Sequence, residues 1–286
     1  MSIKINDLEY TYSPGTPFEH KALKGINLEI PEGKVTAIIG QTGSGKSTLV
    51  QHLNALLKPT YGSIEIEGFH ITPDTKLKDA KMLRKKVGLV FQFPEYQLFE
   101  ETIAKDIAFG PKNFGVSEEE TEKRIREVLP LVGLDESYLE RSPFELSGGQ
   151  KRRVAIAGIL VQDPDILVLD EPAAGLDPQS AKEMMSLFMR LNKEAGKTIL
   201  LVSHDMEHVL EYCDEVIVMA DGQVKSQMPV HEFFKHPEIL REININPPGI
   251  VKLKEMLRNK GFQINPDTYS LDELAREVER QVNGHE

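Results

Sequence analysis

The sequence predicts an α/β fold built on a parallel β-sheet, and two features of the chain carry that prediction. Residues 34–39 form an apolar run of strand length that leads into a glycine-rich turn and then a helical pattern. Two more apolar runs, at residues 166–170 and 198–203, are separated by a helical stretch. This alternation implies parallel strands joined by helices. We therefore expect a buried α/β core that is interrupted by other structure and then resumes.

Three further units are predicted around this core. Short alternating apolar and polar runs in the first third of the chain indicate an antiparallel β subdomain. Helical signals, including a candidate N-cap at Ser117, predict a helical subdomain at about residues 94–160 inside a main domain at residues 1–225. Prolines then punctuate charged helical stretches, which predicts a small C-terminal helical appendage at residues 226–286. Its apolar stripe at Ile250, Leu253, Met256 and Leu257 either supports dimerisation or packs on its own domain.

Composition limits the classes of function. The chain of 286 residues has 45 acidic and 34 basic side chains, a net charge of -11. This balance argues against a surface that coats nucleic acid, so we expect no nucleic-acid partner. The single cysteine, Cys213, fits a reducing, cytosolic setting. The apolar runs are too short to cross a bilayer, so a partner must hold the protein at any membrane that it serves.

A phosphate-binding loop is the strongest motif in the sequence. Residues 40–47 read Gly-Gln-Thr-Gly-Ser-Gly-Lys-Ser, the Walker A pattern, between a strand and a helix. The glycines allow successive N–H groups to converge on phosphate oxygens at a helix N-terminus. Lys46 supplies charge to the β- and γ-phosphates, and the Ser47 hydroxyl can ligate Mg²⁺. The predicted nucleotide-binding residues here are Gly40, Gln41, Thr42, Gly43, Ser44, Gly45, Lys46, Ser47 and Thr48.

This loop predicts a P-loop NTPase fold with a RecA-like parallel sheet, and ATP and Mg²⁺ as cofactors. By itself it leaves kinases, GTPases and many ATPases open. A second segment narrows the class of P-loop protein. Leu146 is followed by Ser147, Gly148, Gly149 and Gln150 just before a helical run. Small residues at an open helix N-terminus suit a phosphate. The alternative is a serine N-cap followed by flexible glycines.

Acidic and basic side chains follow the two later strands of the predicted sheet. Asp170 ends the strand at residues 166–170, where a carboxylate beside the phosphate loop can hold Mg²⁺. Glu171 projects differently and is a candidate general base for the attacking water. His204 follows the strand at residues 198–203 and is a candidate hydrogen-bond donor to the γ-phosphate. We predict that these side chains meet at one edge of the sheet.

Over about residues 1–225 the chain resembles the ABC ATPase family, through the order of Walker A, Gln92, residues 146–150, Asp170, Asp177 and His204. The resemblance implies an ATP hydrolase coupled to transmembrane transport. It implies that Gln92 links the Mg²⁺ site to a membrane partner and joins the catalytic set, and that Tyr12 stacks on adenine. It also implies a dimer in which residues 174–177 cross the interface and residues 147–150 of one subunit close over the ATP of the other.

Within that family, residues 90–103 and 106–111 resemble the energy-coupling factor (ECF) ATPases that power vitamin and metal-ion uptake. Residues 10–18 and 173–177 are most similar to the A-prime ATPase group of those systems. The resemblance implies a heterodimer with a second, related ATPase subunit, a membrane coupling protein and a membrane substrate-binding subunit. The complex would lie at the cytoplasmic face of the cell membrane, with this chain as a peripheral subunit.

Residues 94–99 are expected to form part of the groove that receives a helix of the membrane partner, with Glu95 offering charge and Tyr96, Leu98 and Phe99 offering apolar contact. Two alternatives stay open at this stage. One is the ATPase of an ABC importer outside the ECF group, and the other is a non-catalytic ABC scaffold subunit.

Overall fold

Two β-sheets organise residues 2–76 and 80–283, the parts of the chain that this computed structural model describes. Strands β2, β1, β4 and β5, defined below, form an antiparallel sheet in that order, and β10, β9, β3, β8, β7 and β6 form a six-stranded sheet. In chain order the strands are β1 (Ile3–Tyr12), β2 (His20–Ile30), β3 (Val35–Ile39), β4 (Tyr61–Ile66), β5 (Phe69–Ile71), β6 (Val87–Val90), β7 (Ile166–Asp170), β8 (Thr198–Val202), β9 (Glu215–Ala220) and β10 (Gln223–Pro229).

The six-stranded sheet contains the predicted parallel core. Strands β9, β3, β8, β7 and β6 run parallel, and every residue of β3 and β8 is buried. Full burial is expected for central parallel strands, because helices or a second sheet cover both of their faces. The predicted α/β fold class is therefore confirmed.

Strand β10 was not predicted as part of this sheet. It pairs antiparallel with β9 through a tight turn at Asp221 and Gly222, which both have positive φ, a backbone conformation typical of two-residue hairpins. Because β10 covers residues 223–229, a strand of the main sheet crosses the predicted boundary at residue 225. The division of the chain into two domains stays a prediction.

Side chains on the two faces of the central sheet belong to two separate apolar clusters. On β3, Ile38 packs with Ile5 and other residues of the antiparallel sheet, whereas Ala37 and Ile39 pack with the helices on the opposite side. This split follows from the two-residue period of a strand. The molecule is thus layered as antiparallel sheet, central sheet and helices.

Helices fill the outer layer and the predicted helical subdomain. Ser117 caps α4, since its Oγ accepts a hydrogen bond from the Glu120 amide at 3.3 Å, as predicted. Among residues 2–76 and 80–283, no helix combines the length and the apolar character that a bilayer crossing requires. The helices are α1 (Lys46–Leu53), α2 (Lys81–Lys86), α3 (Ile103–Asn113), α4 (Glu118–Leu131), α5 (Gly148–Leu160), α6 (Pro178–Ala195), α7 (Met206–Tyr212), α8 (Val230–Phe233), α9 (Pro237–Glu242), α10 (Gly249–Asn259) and α11 (Leu271–Asn283).

Helices α8 to α11 pack directly on the main domain. Phe233 and Val251 are buried in the same cluster as residues of β9. The backbone amide of Gly249, at the start of α10, donates a 2.7 Å hydrogen bond to Glu207 on α7. The apolar stripe predicted on α10 is divided, because Ile250 is buried whereas Met256 is 59% exposed. Residues 284–286 lie outside the described residues.

Candidate functional site

The phosphate-binding loop joins β3 to α1 and requires glycine at two of its positions. Gly40 and Gly45 have φ angles of 153° and 100°. A Cβ atom on Gly40 would lie 2.1 Å from the carbonyl oxygen of Met219, and one on Gly45 would lie 2.9 Å from that of Ala22. Only glycine allows this close approach of backbone to backbone. The loop is therefore held tightly against β9 and β2, with the N-terminus of α1 open beside it.

Lys46 is the first residue of α1 and lies against the loop. Its Nζ donates hydrogen bonds of 2.8 Å to the carbonyl oxygens of Gly40 and Gln41. Burial lowers the pKa of Lys46, while the negative charges of Glu171 and Asp170 oppose that shift. A phosphate placed over the loop would give this ammonium a charged acceptor in exchange for two neutral carbonyls, which is a stronger interaction.

Asp170 ends β7 next to Ser47 of the loop. Burial raises the pKa of Asp170, while a hydrogen bond with the Ser47 side chain and the charge of Lys46 act in the opposite direction. The predicted metal-binding hydroxyl and carboxylate are thus neighbours. Their proximity follows from the sheet, because β7 and β3 are separated only by β8 and end at the same edge.

Glu171 and His204 form the hydrogen-bonded pair of the site. Nδ1 of His204 lies 2.7 Å from Oε1 of Glu171. The backbone of Glu171 has a positive φ of 52°, and its amide donates to the carbonyl of Val202 at the end of β8. Burial raises the pKa of Glu171, and the hydrogen bond with His204 opposes the shift. The carboxylate side chain is only 16% exposed, whereas His204 is 75% exposed and reaches the solvent.

These side chains surround one cavity of about 390 Å³. The antiparallel sheet contributes Tyr12, whose hydroxyl lies 3.2 Å from Oγ1 of Thr48 and whose ring meets Tyr10 edge to face at 4.7 Å. The predicted site residues that line this cavity are Tyr12, Thr42, Gly43, Gly45, Lys46, Ser47, Thr48, Gln92, Asp170, Glu171 and His204. The structure therefore brings together residues from five separate parts of the chain.

Other predicted residues lie next to this cavity or apart from it. Gln41 and Ser44 line a neighbouring cavity of about 210 Å³, together with Glu242 and Ile243 of α9 and its cap. Sequence reasoning missed His20 and Ala22, which line the main cavity. His20 pairs with Tyr12 across the two strands. That pairing depends on the register of β1 and β2, for which the sequence offered only the alternating pattern.

Residues 147–150 form the N-terminus of α5. Ser147 and Gln150 make a capping box, in which each side chain accepts a hydrogen bond from the backbone amide of the other residue, at 3.3 and 3.1 Å. The serine N-cap expected from the simpler interpretation is therefore present. Ser147, Gly148 and Gly149 are exposed, and within the described residues none of the four lines the main cavity of its own chain. The small-residue helix end faces outward.

A comparison with protein-family profiles identifies the family to which the chain belongs. A profile of the family described as "ABC transporter" matches residues 23–174, from β2 to the loop after Glu171. The chain belongs to the ABC transporter family. As a member of this ATPase family it binds and hydrolyses ATP to drive transport, so the P-loop NTPase fold and ATP predicted from the sequence are confirmed.

Several relatives of this ABC ATPase are described as ATP-binding proteins of energy-coupling factor transporters. It is 54% identical over 282 residues to the "Energy-coupling factor transporter ATP-binding protein EcfA2" of Enterococcus faecalis. The matched region covers 99% of this chain and 98% of the relative. Among solved structures, the cbiO1 protein of Clostridium perfringens, described as part of the ABC transporter complex cbiONQ, is 43% identical. It covers 88% of this chain and 98% of its own, with a TM-score of 0.73.

A second solved structure adds a dimer to the comparison. The ATP-binding cassette MJ0796, described as dimeric and bound to ADP and Pi in a post-hydrolysis state, is 34% identical to this ABC ATPase. It covers 80% of this chain and 98% of its own, with a TM-score of 0.71. The predicted resemblance to the ABC family and its ECF group is confirmed by these relatives.

Proposed function

We propose that this chain is one ATPase subunit of an ECF-type importer and that a second, related ATPase completes its active site. One observation carries the proposal: Lys46, Asp170 and Glu171 line the cavity, whereas residues 147–150, of which Ser147, Gly148 and Gly149 are exposed, do not. Phosphoryl transfer needs charge stabilisation on several sides of the γ-phosphate. A second subunit, bringing its own outward-facing helix end, would supply the missing side.

ATP fits the cavity with its phosphates on the loop and its base at Tyr12. The amides of the loop and the N-terminus of α1 would hold the phosphates, and Lys46 would release its two carbonyl partners to bind the β- and γ-phosphates. Tyr12 is 36% exposed at the mouth of the cavity and offers an aromatic face for stacking on adenine. The hydrogen bond between its hydroxyl and Thr48 would fix the ring relative to the loop.

A magnesium ion fits the residues beside the phosphates. Ser47, Gln92 and Asp170 all line the cavity and each carries a side-chain oxygen that would serve as a ligand, and Mg²⁺ prefers oxygen ligands with one or two carboxylates plus substrate phosphates. When bound there with ATP, the ion would neutralise charge on the phosphate oxygens. Ser47 and Asp170 both line the cavity, so the hydroxyl and the carboxylate would hold the ion together.

Glu171 is the proposed general base. The attacking water would transfer a proton to the carboxylate as its oxygen bonds to the γ-phosphorus, and the bond to the bridging oxygen of ADP would break. Burial favours this role, since it raises the pKa of Glu171 and makes the carboxylate a better proton acceptor. With both ring nitrogens protonated, His204 would donate from Nδ1 to the Glu171 carboxylate at 2.7 Å and from Nε2 to the developing charge on the γ-phosphate.

The composition of the membrane complex tests the proposal. We expect native mass spectrometry of the complex, purified through a tag on this chain, to show one copy of it with one copy of a related ATPase, a membrane coupling protein and a membrane substrate-binding subunit. Two copies of this chain with no second ATPase would refute the heterodimer. An extracytoplasmic binding protein in place of the membrane substrate-binding subunit would instead favour an importer outside the ECF group.

The docking segment, defined as residues 94–99, is proposed to contact the membrane partner at the cytoplasmic face of the membrane. Tyr96 is 84% exposed and Phe99 is 56% exposed, and the Phe99 ring packs edge to face on Phe109 at 4.9 Å. Exposed aromatic side chains of this kind suit a protein interface. Glu95, which is expected to offer charge here, has its carboxylate paired with Arg152 at 2.9 Å. Leu98 is partly buried against the apolar core, so Tyr96 and Phe99 are the more exposed of the three predicted apolar side chains.

We therefore expect Tyr96→Ala with Phe99→Ala to weaken assembly with the membrane partner and to leave ATP binding by the isolated chain unchanged. Because both side chains are exposed, their loss should cost the fold little, whereas truncation of buried interface anchors commonly costs about 2 kcal/mol or more of binding. Co-purification from detergent-solubilised membranes measures the effect. Tyr61→Ala, at a position 59% exposed on β4, is the matched control. Wild-type recovery of the complex by the double variant would place the interface elsewhere.

A further inference from the structure

Arg152 is a buried arginine that the proposed chemistry does not use. It lies on α5, two positions after Gln150, and is only 3% exposed. Its Nε and Nη2 donate to the two carboxylate oxygens of Glu95 at 3.0 and 2.9 Å. Its Nη1 donates to the carbonyl oxygen of Ala174 at 2.8 Å and, at 3.4 Å, to that of Pro172. The guanidinium also stands over the ring of Phe93 at 5.6 Å.

These contacts join three segments that each serve a different part of the site. Glu95 belongs to the docking segment, α5 begins at the outward-facing residues 147–150, and Pro172 and Ala174 lie in the loop that follows Glu171. Glu95 and Arg152 are 57 residues apart in the chain. One guanidinium thus connects the docking segment, the helix end proposed to meet the partner's ATP, and the backbone next to the proposed general base.

A backbone hydrogen bond connects the loop after Glu171 to Glu171 itself. The amide of Ala174 donates to the carbonyl of Glu171 at 3.0 Å, so the turn that Arg152 holds begins at Glu171 itself. Gly175 lies close to the Phe93 ring, where an added Cβ would be 3.4 Å from it. A shift of the segment at residues 93–95 would therefore be transmitted to the loop through both the guanidinium and the ring.

The geometry requires arginine rather than any cation. A guanidinium presents several N–H donors in a rigid plane, so it can bind a carboxylate with two hydrogen bonds and still donate to carbonyls from its other edge. A lysine in this position would offer a single point charge. Burial tends to raise the pKa of Glu95, but the hydrogen bonds and the positive charge of Arg152 outweigh this effect. The pKa of Glu95 is therefore lowered, which favours its ionised form.

We propose that Arg152 is a positioning residue that locks the loop after Glu171 to the docking segment, so that engagement of the membrane partner sets the position of Glu171. The assignment rests on the proposed role of the docking segment and of Glu171. Arg152 does not touch the nucleotide cavity, and within the described residues it acts only through the segments that it joins.

The neighbouring arginine provides a matched control. Arg153 lies on the same helix and makes the same kinds of contact, donating at 2.8 Å to the carbonyl oxygen of Val132 and to the carboxylate of Glu183. These partners lie in the helical subdomain and on α6, away from the docking segment and the loop after Glu171. Arg153→Gln therefore removes an arginine from α5 and leaves the lock in place.

The test variant is Glu95→Gln combined with Arg152→Gln. It removes both charges at once, so no buried charge is left unpaired, and the two amides can still bond to each other. It also removes the planar fork that holds the carbonyls of Pro172 and Ala174. Hydrogen exchange of the isolated, full-length chain should then show amides at residues 173–176 exchanging about tenfold faster or more, while Arg153→Gln leaves them unchanged.

In the membrane complex, the double variant should bind ATP within about twofold of the wild type. It should lower kcat by about tenfold or more, because small displacements of a catalytic group cost this much. The amount of substrate transported per ATP hydrolysed should fall as well, which a loss of folded protein alone would not cause. Arg152→Lys, which keeps the charge but not the fork, should show the same defects in weaker form.

Unchanged exchange at residues 173–176 in the double variant would overturn the lock. So would faster exchange together with wild-type kcat and a wild-type ratio of transport to hydrolysis. If the wild-type complex itself proves to lack a second ATPase or a membrane partner, the proposed function fails separately, and the exchange measurement on the isolated chain still decides whether Arg152 holds the loop.

Discussion

Glu171→Gln is expected to abolish steady-state ATP hydrolysis while ATP still binds. The substitution keeps the size of the side chain and can still bond to His204, but a neutral amide cannot accept the proton of the attacking water. General-base catalysis contributes about 10²- to 10⁴-fold to rates of this kind, so we expect a loss of that size in kcat. Phosphate release from the purified complex measures it.

The same variant should accumulate a closed, ATP-bound dimer, because ATP would hold the two subunits together until it is hydrolysed. Size-exclusion chromatography with ATP and Mg²⁺ detects that species. Glu194→Gln, at an exposed glutamate on α6, is the control for loss of one acidic charge and should hydrolyse ATP normally. Turnover near the wild-type rate in Glu171→Gln would assign the general base to another residue.

Lys46→Ala should fail one step earlier, at nucleotide binding. Its ammonium is the positive side chain at the phosphate loop, held beside Gly40 and Gln41. Hydrogen bonds that involve a charged group contribute about 1.5–3 kcal/mol, so their loss should raise the dissociation constant for ATP by about 10- to 150-fold. Isothermal titration calorimetry with the isolated chain measures this change.

Two comparisons make the Lys46→Ala result specific. Lys182→Ala removes an exposed lysine from α6 and should bind ATP as the wild type does. Glu171→Gln should also bind ATP well, so the pair of site variants separates binding from chemistry. Normal affinity in Lys46→Ala would mean that the loop amides and the helix N-terminus hold the phosphates without its charge.

Sequence patterns predicted the elements whose residues are contiguous. The phosphate loop lies between β3 and α1 as expected, Asp170 ends β7, and Ser117 and Ser147 cap their helices. Such features depend on local rules: the period of a strand, the free N–H groups at a helix start and the φ angles that only glycine adopts readily. The phosphate loop could therefore be predicted from the order of its own residues.

Tertiary packing decided the features that join distant residues. Glu95 was expected to offer charge to a membrane partner, and the fold pairs it with Arg152 and leaves its side chain 15% exposed, which no pattern in the sequence indicated. The apolar stripe of α10 contains both buried and exposed residues, since Ile250 is 9% exposed whereas Met256 is 59% exposed. Burial depends on which surfaces meet, and no spacing along the chain encodes that by itself.

By itself, then, the sequence determined that this chain is an ATPase and predicted its chemical groups: a loop for phosphates, a carboxylate for a metal and a second carboxylate for water, each in a local setting that its neighbours impose. Only the tertiary structure decided how those groups are connected and what each chain lacks. It brought Tyr12, Gln92 and His204 to one cavity and turned residues 147–150 away from it. The reason is physical: parallel strands deliver their ends to one edge of the sheet, whereas α5 begins at exposed residues that this chain's own cavity does not include.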